Sequence, residues 1–324
     1  MNAATTSPRI VVLAGGLSHE RDVSLRSGRR VAEALRSTGA EVVVHDVDAD
    51  LVPLLREADP DLVWPLLHGA TGEDGSVRDV LSLLGLPMLG TGARASRVAW
   101  SKPIAKTVVA RAGLPTPEFV TLPQTLFREL GAHRILDAIV ARLGLPLAVK
   151  PSRGGSALGV TMVTAVEQLP GAMVECFSYS DTAMVEKGVV GTELAISVLD
   201  TGEGPFALPA VEIVTDGPYD YDARYNPGRT EYFAPARLSD EVAAAAATVA
   251  IQAHEALGLS RLSRTDVIVD QAGTPWFLEV NVAPGMTETS LLPQAAAAAG
   301  CELGALYRSL VDAELAALAP SLAR

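Results

Sequence analysis

The sequence predicts an α/β protein that opens on a parallel sheet and then changes to antiparallel strand-and-helix units. Three observations carry this. The first third alternates short β-branched runs with helical stretches: RIVVLAGG, a helix near Val23 to Ser37, EVVVHDV, then DLVWPLLHG and a helix over Gly75 to Leu84. The middle carries LAVKPSRGGSALGVTMV, which reads as strand, glycine-rich loop, strand. The last third contains SRTDVIVDQAGTPWFLEVN, two apolar runs joined by a turn at Gly273, which is a hairpin.

Taken in order, these elements suggest three units: residues 1–100, an open parallel α/β domain; 101–189, opened by a helix with two lysines and the proline-marked GLPTPEFV; and 190–324. In an open parallel sheet the ligand loops lie at the strand C-termini, so GGLSHERD and LLHGATGEDG are expected to share one edge. A helix near Glu167 to Phe177 and the strand TAMVEKGV close the middle unit. The last begins with strands at ELAISVLD and PFALPAVEIV and turns to Ala-rich helices from Asp240 onward. Between them TDGPYDYDARYNPGRTEYFAP, about 215–235, is too rich in rings, glycine and proline for an idle linker and reads as a lid loop.

Composition excludes several classes. A net charge of -12 with no Lys/Arg cluster argues against a nucleic-acid surface. Cys176 and Cys301 belong to no metal or redox spacing, which fits a reducing cytoplasm. The apolar run Val242 to Ile251 is about half the length needed to cross a bilayer, and MNAATTSPR has no signal-peptide pattern, so neither membrane segment nor leader is expected.

The hairpin carries the strongest chemistry. Strand period places Glu279 and Asn281 on one face, and a symmetric register brings Asp266 opposite them. Two carboxylates buried together call for a cation, and oxygen ligands without His or Cys favour magnesium. The alternative is a pair of acids facing solvent on an edge strand. APGMTETSLLP follows at once and offers backbone N–H groups beside a reacting carbonyl. Lys150 precedes RGGSALG, whose glycines leave backbone free to approach phosphate, although a plain surface turn has the same composition. At the end of TAMVEKGV, Glu186 and Lys187 form either a solvated edge or an adenine contact through the Glu186 carboxylate. SHERD lacks the second histidine of a zinc-protease motif, and GTGARAS lacks the strand and acid of a dinucleotide site. His45 and His254 read as structural, and His68 alone lies in an expected site loop.

GGLSHERDVSLRSG, LLHGATGEDG, VKPSRGGSALGV, YDYDARY and EVNVAPGMTETSLLP occur in the order found in D-alanine:D-alanine ligases, and the chain resembles that family from Arg9 to its C-terminus. The resemblance implies an ATP-grasp architecture, in which two α+β domains sandwich ATP beside the N-terminal α/β domain. It implies that Lys102, Lys150, Glu186, Lys187, Glu193 and Arg224 hold ATP, and that Asp266, Glu279 and Asn281 bind two magnesium ions, with manganese as an alternative. It places Glu20 on the ammonium of the first amino acid and in a tether to the lid through Ser156 and Tyr225. Arg264 and the N–H of Gly285 become the oxyanion site, while Ser290, Leu291 and His68 meet substrate. The implied partners are small amino acids, and the implied assembly is a homodimer. Retention of the YDYDARY lid favours an amine over a hydroxy acid as second substrate. The chain departs from many relatives at Arg224, Gly154, Ser101 and Ala157.

Overall fold

The computed structural model of the chain describes residues 7–215 and 229–322. Its first sheet is parallel, with β1 (Arg9–Leu13) between β2 (Glu41–His45) and β3 (Leu62–Pro65). Such a sheet is covered on both faces, which is why RIVVL and LVWP are nearly continuous apolar runs. Helix α1 (Arg21–Ser37) packs so closely behind β1 that a Cβ on Gly28 would lie 2.4 Å from the Ala14 methyl carbon, so only glycine fits. Helices α2 (Leu51–Ala58), α3 (Ala70–Glu73) and α4 (Ser76–Leu83) complete this unit.

After α5 (Ala93–Trp100) and α6 (Lys102–Arg111) comes the middle sheet, antiparallel in the order β4-β7-β5-β6. Its strands are β4 (Phe119–Pro123), β5 (Leu147–Pro151), β6 (Thr161–Val163) and β7 (Thr182–Lys187). Helices α7 (Gln124–Leu130), α8 (Ala132–Leu143) and α9 (Leu169–Phe177) accompany it. Leu136, Ile139 and Met173 from α8 and α9 fill one face against Leu147, Val149 and Val185. The alternate residues, Ala148, Lys150 and Glu186, therefore turn to the other face.

The third sheet is also antiparallel. Strands β8 (Gly191–Asp200), β9 (Pro205–Ala207), β10 (Val211–Thr215), β11 (Thr230–Phe233), β12 (Leu262–Asp270) and β13 (Pro275–Asn281) run in the order β11-β10-β8-β12-β13, with β9 paired to β8. Helix α10 (Asp240–Ala256), whose N-cap Ser239 accepts from the Val242 N–H, lies on this sheet, and α11 (Leu291–Ala298) and α12 (Leu303–Leu322) follow. The expected lid falls between β10 and β11, and its core, residues 216–228 with Arg224 and Tyr225, lies outside the described residues.

Two apolar clusters join distant parts of the chain. Val12, Leu35 and Trp64 of the first unit pack with Leu199, Leu262 and Tyr307 of the last, and the Trp64 and Tyr307 rings meet edge to face at 5.6 Å. Ala99, Ala105 and Val109 of α5 and α6 pack with Phe277 and Val280 of β13. Helix α6 thus rests on the third sheet while it leads into the second.

Candidate active site

The parallel sheet brings its two loops together as expected. The Ser24 hydroxyl accepts from the Gly15 N–H at 2.8 Å and donates to the Leu66 carbonyl at 2.7 Å, fastening the loop after β1 to the loop after β3. Between them lies a cavity of about 120 Å³, with Glu20, His68, Glu73, Arg264, Gly285 and Ser290 among its walls. A second cavity, of about 370 Å³, opens between the middle and third sheets and is lined by Lys150, Glu186, Glu193, Asp266 and Ile268 among others. Lys102, Gly154, Gly155 and Glu279 belong to both walls, so the two cavities adjoin at these residues.

The hairpin register is the one read from the sequence: Asp266 pairs with Glu279 and Arg264 with Asn281. Since residues two apart on a strand share a face, all four side chains lie together. A bulge after Asp266 sets Val267 opposite Phe277 and skips Leu278. That extra residue is why Leu278 and Glu279, adjacent in sequence, both line the larger cavity.

Each carboxylate of this face has a cation. Arg264 grips Asp266 with two hydrogen bonds, at 2.7 and 2.9 Å. Lys102 Nζ lies 2.9 Å from Glu279 and donates to the Gly154 carbonyl at 2.5 Å. The Asn281 carbonyl oxygen accepts from the Ala283 N–H at 2.7 Å, which leaves it one lone pair. Among the described residues no three His, Cys, Asp or Glu side chains form a metal cluster. Asp266, Glu279 and Asn281 are instead two carboxylates and an amide, an all-oxygen set that suits a hard cation and already attracts positive charge.

On the middle sheet Glu186 is buried and paired twice, with Lys150 through Oε1 and with Lys106 at 2.8 Å through Oε2. Burial alone would raise its pKa, but the two ammonium groups outweigh it and the carboxyl is held below its usual range. Lys150 is likewise opposed by burial and held above its usual value by Glu186, Glu279 and Glu193. Glu186 is thus not a solvated edge residue: it is buried between two lysines on the wall of the larger cavity. Lys187, the next residue, points to the opposite side, is exposed and lines neither cavity. The structure therefore does not bring the Lys187 side chain to the cavity wall that Glu186 lines.

In the smaller cavity Ser156 donates to Glu20 Oε1 at 2.5 Å, with Ser156 and Ala157 in the left-handed backbone region (φ 53° and 56°). This joins the glycine-rich loop to the N-terminal unit. The His68 ring lies 3.0 Å from the Ala283 carbonyl through Nδ1 and 3.4 Å from the Ser27 hydroxyl through Nε2, and its burial depresses its pKa. It therefore props the turn after β13. A Cβ on Gly285 would lie 2.7 Å from the Ser290 hydroxyl, so any larger residue there would displace that hydroxyl. Thr287 hydrogen-bonds that same hydroxyl, with its backbone N–H at 3.0 Å and its own hydroxyl at 2.8 Å. Leu291 begins α11 at the cavity wall.

Three residues were not among those singled out from the sequence. Glu73 is buried in the smaller cavity, where desolvation and then Glu20 push its pKa up to about 8, so it carries a proton at neutral pH. Thr287 orients Ser290. Lys106 stands four residues after Lys102, a spacing that puts both on one helix face and was readable as such.

A family model described as "D-ala D-ala ligase C-terminus" matches residues 108–312. The chain is 43% identical to the D-alanine--D-alanine ligase of Desulforudis audaxviator, over 94% of this chain and 97% of that one. It is 40% identical to the enzyme of the same name from Gloeobacter violaceus, over 95% and 99%. Its fold is similar to the VanG D-Ala:D-Ser ligase from Enterococcus faecalis, with a TM-score of 0.82 at 26% identity over 95% of this chain and all of that one. It is also similar to D-alanine--D-alanine ligase from Bacillus anthracis complexed with ATP, with a TM-score of 0.81 at 28% identity over 97% and 100%. With relatives matched nearly end to end and the expected ATP-grasp architecture in place, the chain belongs to the D-alanine:D-alanine ligase family.

Proposed function

We infer that this chain is an ATP-dependent ligase that joins two D-alanine molecules through an acyl-phosphate, supplying the dipeptide for peptidoglycan precursors. The observation that carries the reading is the pair of adjoining cavities. The larger has room for a nucleotide, the smaller suits a small amino acid, and their common wall holds Lys102 and Glu279.

The chemistry follows from charge. A carboxylate is a poor acyl donor, so an oxygen of the first D-alanine attacks the γ-phosphorus of ATP, the bond to ADP breaks, and an acyl-phosphate forms. Lys150 and Lys102 offset charge on the phosphoryl oxygens, and Glu20 holds the substrate ammonium. The amine of the second D-alanine then attacks the acyl carbon. Arg264 and the Gly285 N–H stabilise the tetrahedral oxyanion, and phosphate leaves as the amide forms. Asp266, Glu279 and Asn281 would hold magnesium, which supplies charge neutralisation and an in-line template for the phosphoryl group. Residues 216–228, with Arg224 and Tyr225, would cover the acyl-phosphate against water. By resemblance the enzyme works as a cytoplasmic homodimer; no helix among the described residues is long and apolar enough to cross a membrane.

Phosphate release from Mg-ATP tests the reading, with D-alanine, L-alanine, D-serine and D-lactate supplied singly and in pairs and the products weighed by mass spectrometry. D-alanine alone is expected to give D-alanyl-D-alanine. Release only with another pair would replace the D-alanine assignment by a diverged amide ligase of the same mechanism.

A further inference from the structure

The buried lysine beneath the nucleotide cavity has no part in the chemistry above. Lys106 is fully buried and lies 2.8 Å from Glu186 Oε2, its one ion-pair partner among the described residues. The ring of Phe119 also lies near it, its centroid 5.6 Å from the ammonium. An ammonium removed from water for a single ion pair is costly, so a packing role alone accounts for it poorly.

The charge arrangement supplies a reason. Glu186 stands between Lys106 and Lys150, and of the two lysines only Lys150 lines the cavity. With Lys150 alone, Glu186 would form a neutral pair and spend the charge that a phosphate needs. With Lys106 on the second oxygen the buried trio keeps one surplus positive charge, and the cation that faces the cavity is Lys150. Of the other carboxylates that act on Lys150, Glu279 is already paired with Lys102, and Glu193 acts more weakly than Glu186 or Glu279.

We propose that Lys106 is a positioning residue for the nucleotide phosphates: by sharing Glu186 with Lys150, it leaves the trio a net positive charge that Lys150 presents to the phosphate chain. This rests on the ATP reading. Lys106 touches no ligand; it acts through Glu186.

The test is calorimetric binding of ADP and of adenosine, both without metal, to the full chain and its variants. Lys106→Met is expected to weaken ADP by about tenfold or more while adenosine changes less than about threefold, because only the former senses the buried charge. Lys106→Met with Glu186→Gln is expected to recover most of the ADP affinity, since the carboxylate that neutralises Lys150 is then gone. Equal losses for both ligands, or a double variant weaker than the single one, would overturn the proposal in favour of a packing role. Should Lys106→Met fail to fold, Glu186→Gln alone decides: tighter ADP binding supports the proposal, and unchanged or weaker binding refutes it. Wild-type protein that binds neither ligand would refute the nucleotide reading itself, a distinct result.

Discussion

The two sheets that enclose the larger cavity neutralise their carboxylates in different ways. On the middle sheet Glu186 is sealed between two lysines and almost wholly excluded from water. On the third sheet Asp266 and Glu279 hold Arg264 and Lys102, two cations that the proposed reaction needs at the oxyanion and the phosphate. The first arrangement is a fixed charge and the second an exchangeable one: a metal ion at Asp266 and Glu279 would take the place of those partners and release them to substrate. Across the shared wall, Glu73 shows a third solution, a proton in place of any cation.

The largest expected effect tests the exchangeable pair. Glu279→Gln should lower phosphate release from Mg-ATP by about 10³-fold or more, with adenosine binding within about twofold of wild type. Full activity in that variant would break the comparison, since Glu279 would then be a structural acid like Glu186.

A second prediction sharpens the role of the proton on Glu73. In the unfolded chain this carboxyl titrates near 4.5, and in the folded chain near 8. The stabilisation tied to its proton is therefore complete below about pH 4.5 and is lost as pH rises through about 8. Glu73→Gln keeps an acceptor for the Gly69 N–H and cannot ionise. Its thermal midpoint should exceed that of wild type at pH 8 and match it at pH 4.5, and a gap independent of pH would remove Glu73 as the titrating group.

The smallest effect is expected at Lys187. Lys187→Ala should leave the KM for ATP within about twofold, because the side chain points away from the cavity that Glu186 lines. A tenfold rise would restore the reading made from sequence.

Much of the site was legible because strand period is a local property. Alternation along the hairpin was enough to put Asp266, Glu279 and Asn281 on one face, and the order of strands and helices was enough to bring Glu20 and His68 to one sheet edge. The same alternation separates the side chains of Glu186 and Lys187 onto opposite faces. What local pattern does not carry is strand order. Strand β7 lies between β4 and β5 rather than at an edge, so Glu186 is buried where its sequence reads as a solvated strand end. The bulge at Leu278 depends on the backbone of two paired strands, and the pKa of Glu73 depends on how completely residues distant in sequence exclude water around it.

Helix α6 reaches Glu279 with Lys102 and, one turn later, Glu186 with Lys106, while Ala105 and Val109 seat it on the core beneath β13. In a mutational survey of this chain, those two unremarkable side chains would therefore score like active-site positions. Adding a methylene at Ala105, or removing one at Val109, displaces the helix that presents both ammonium groups, so the loss would surface in nucleotide binding before it surfaced in folding. Tolerance to substitution along this helix is thus set by two carboxylates on different sheets, neither of which is near it in sequence.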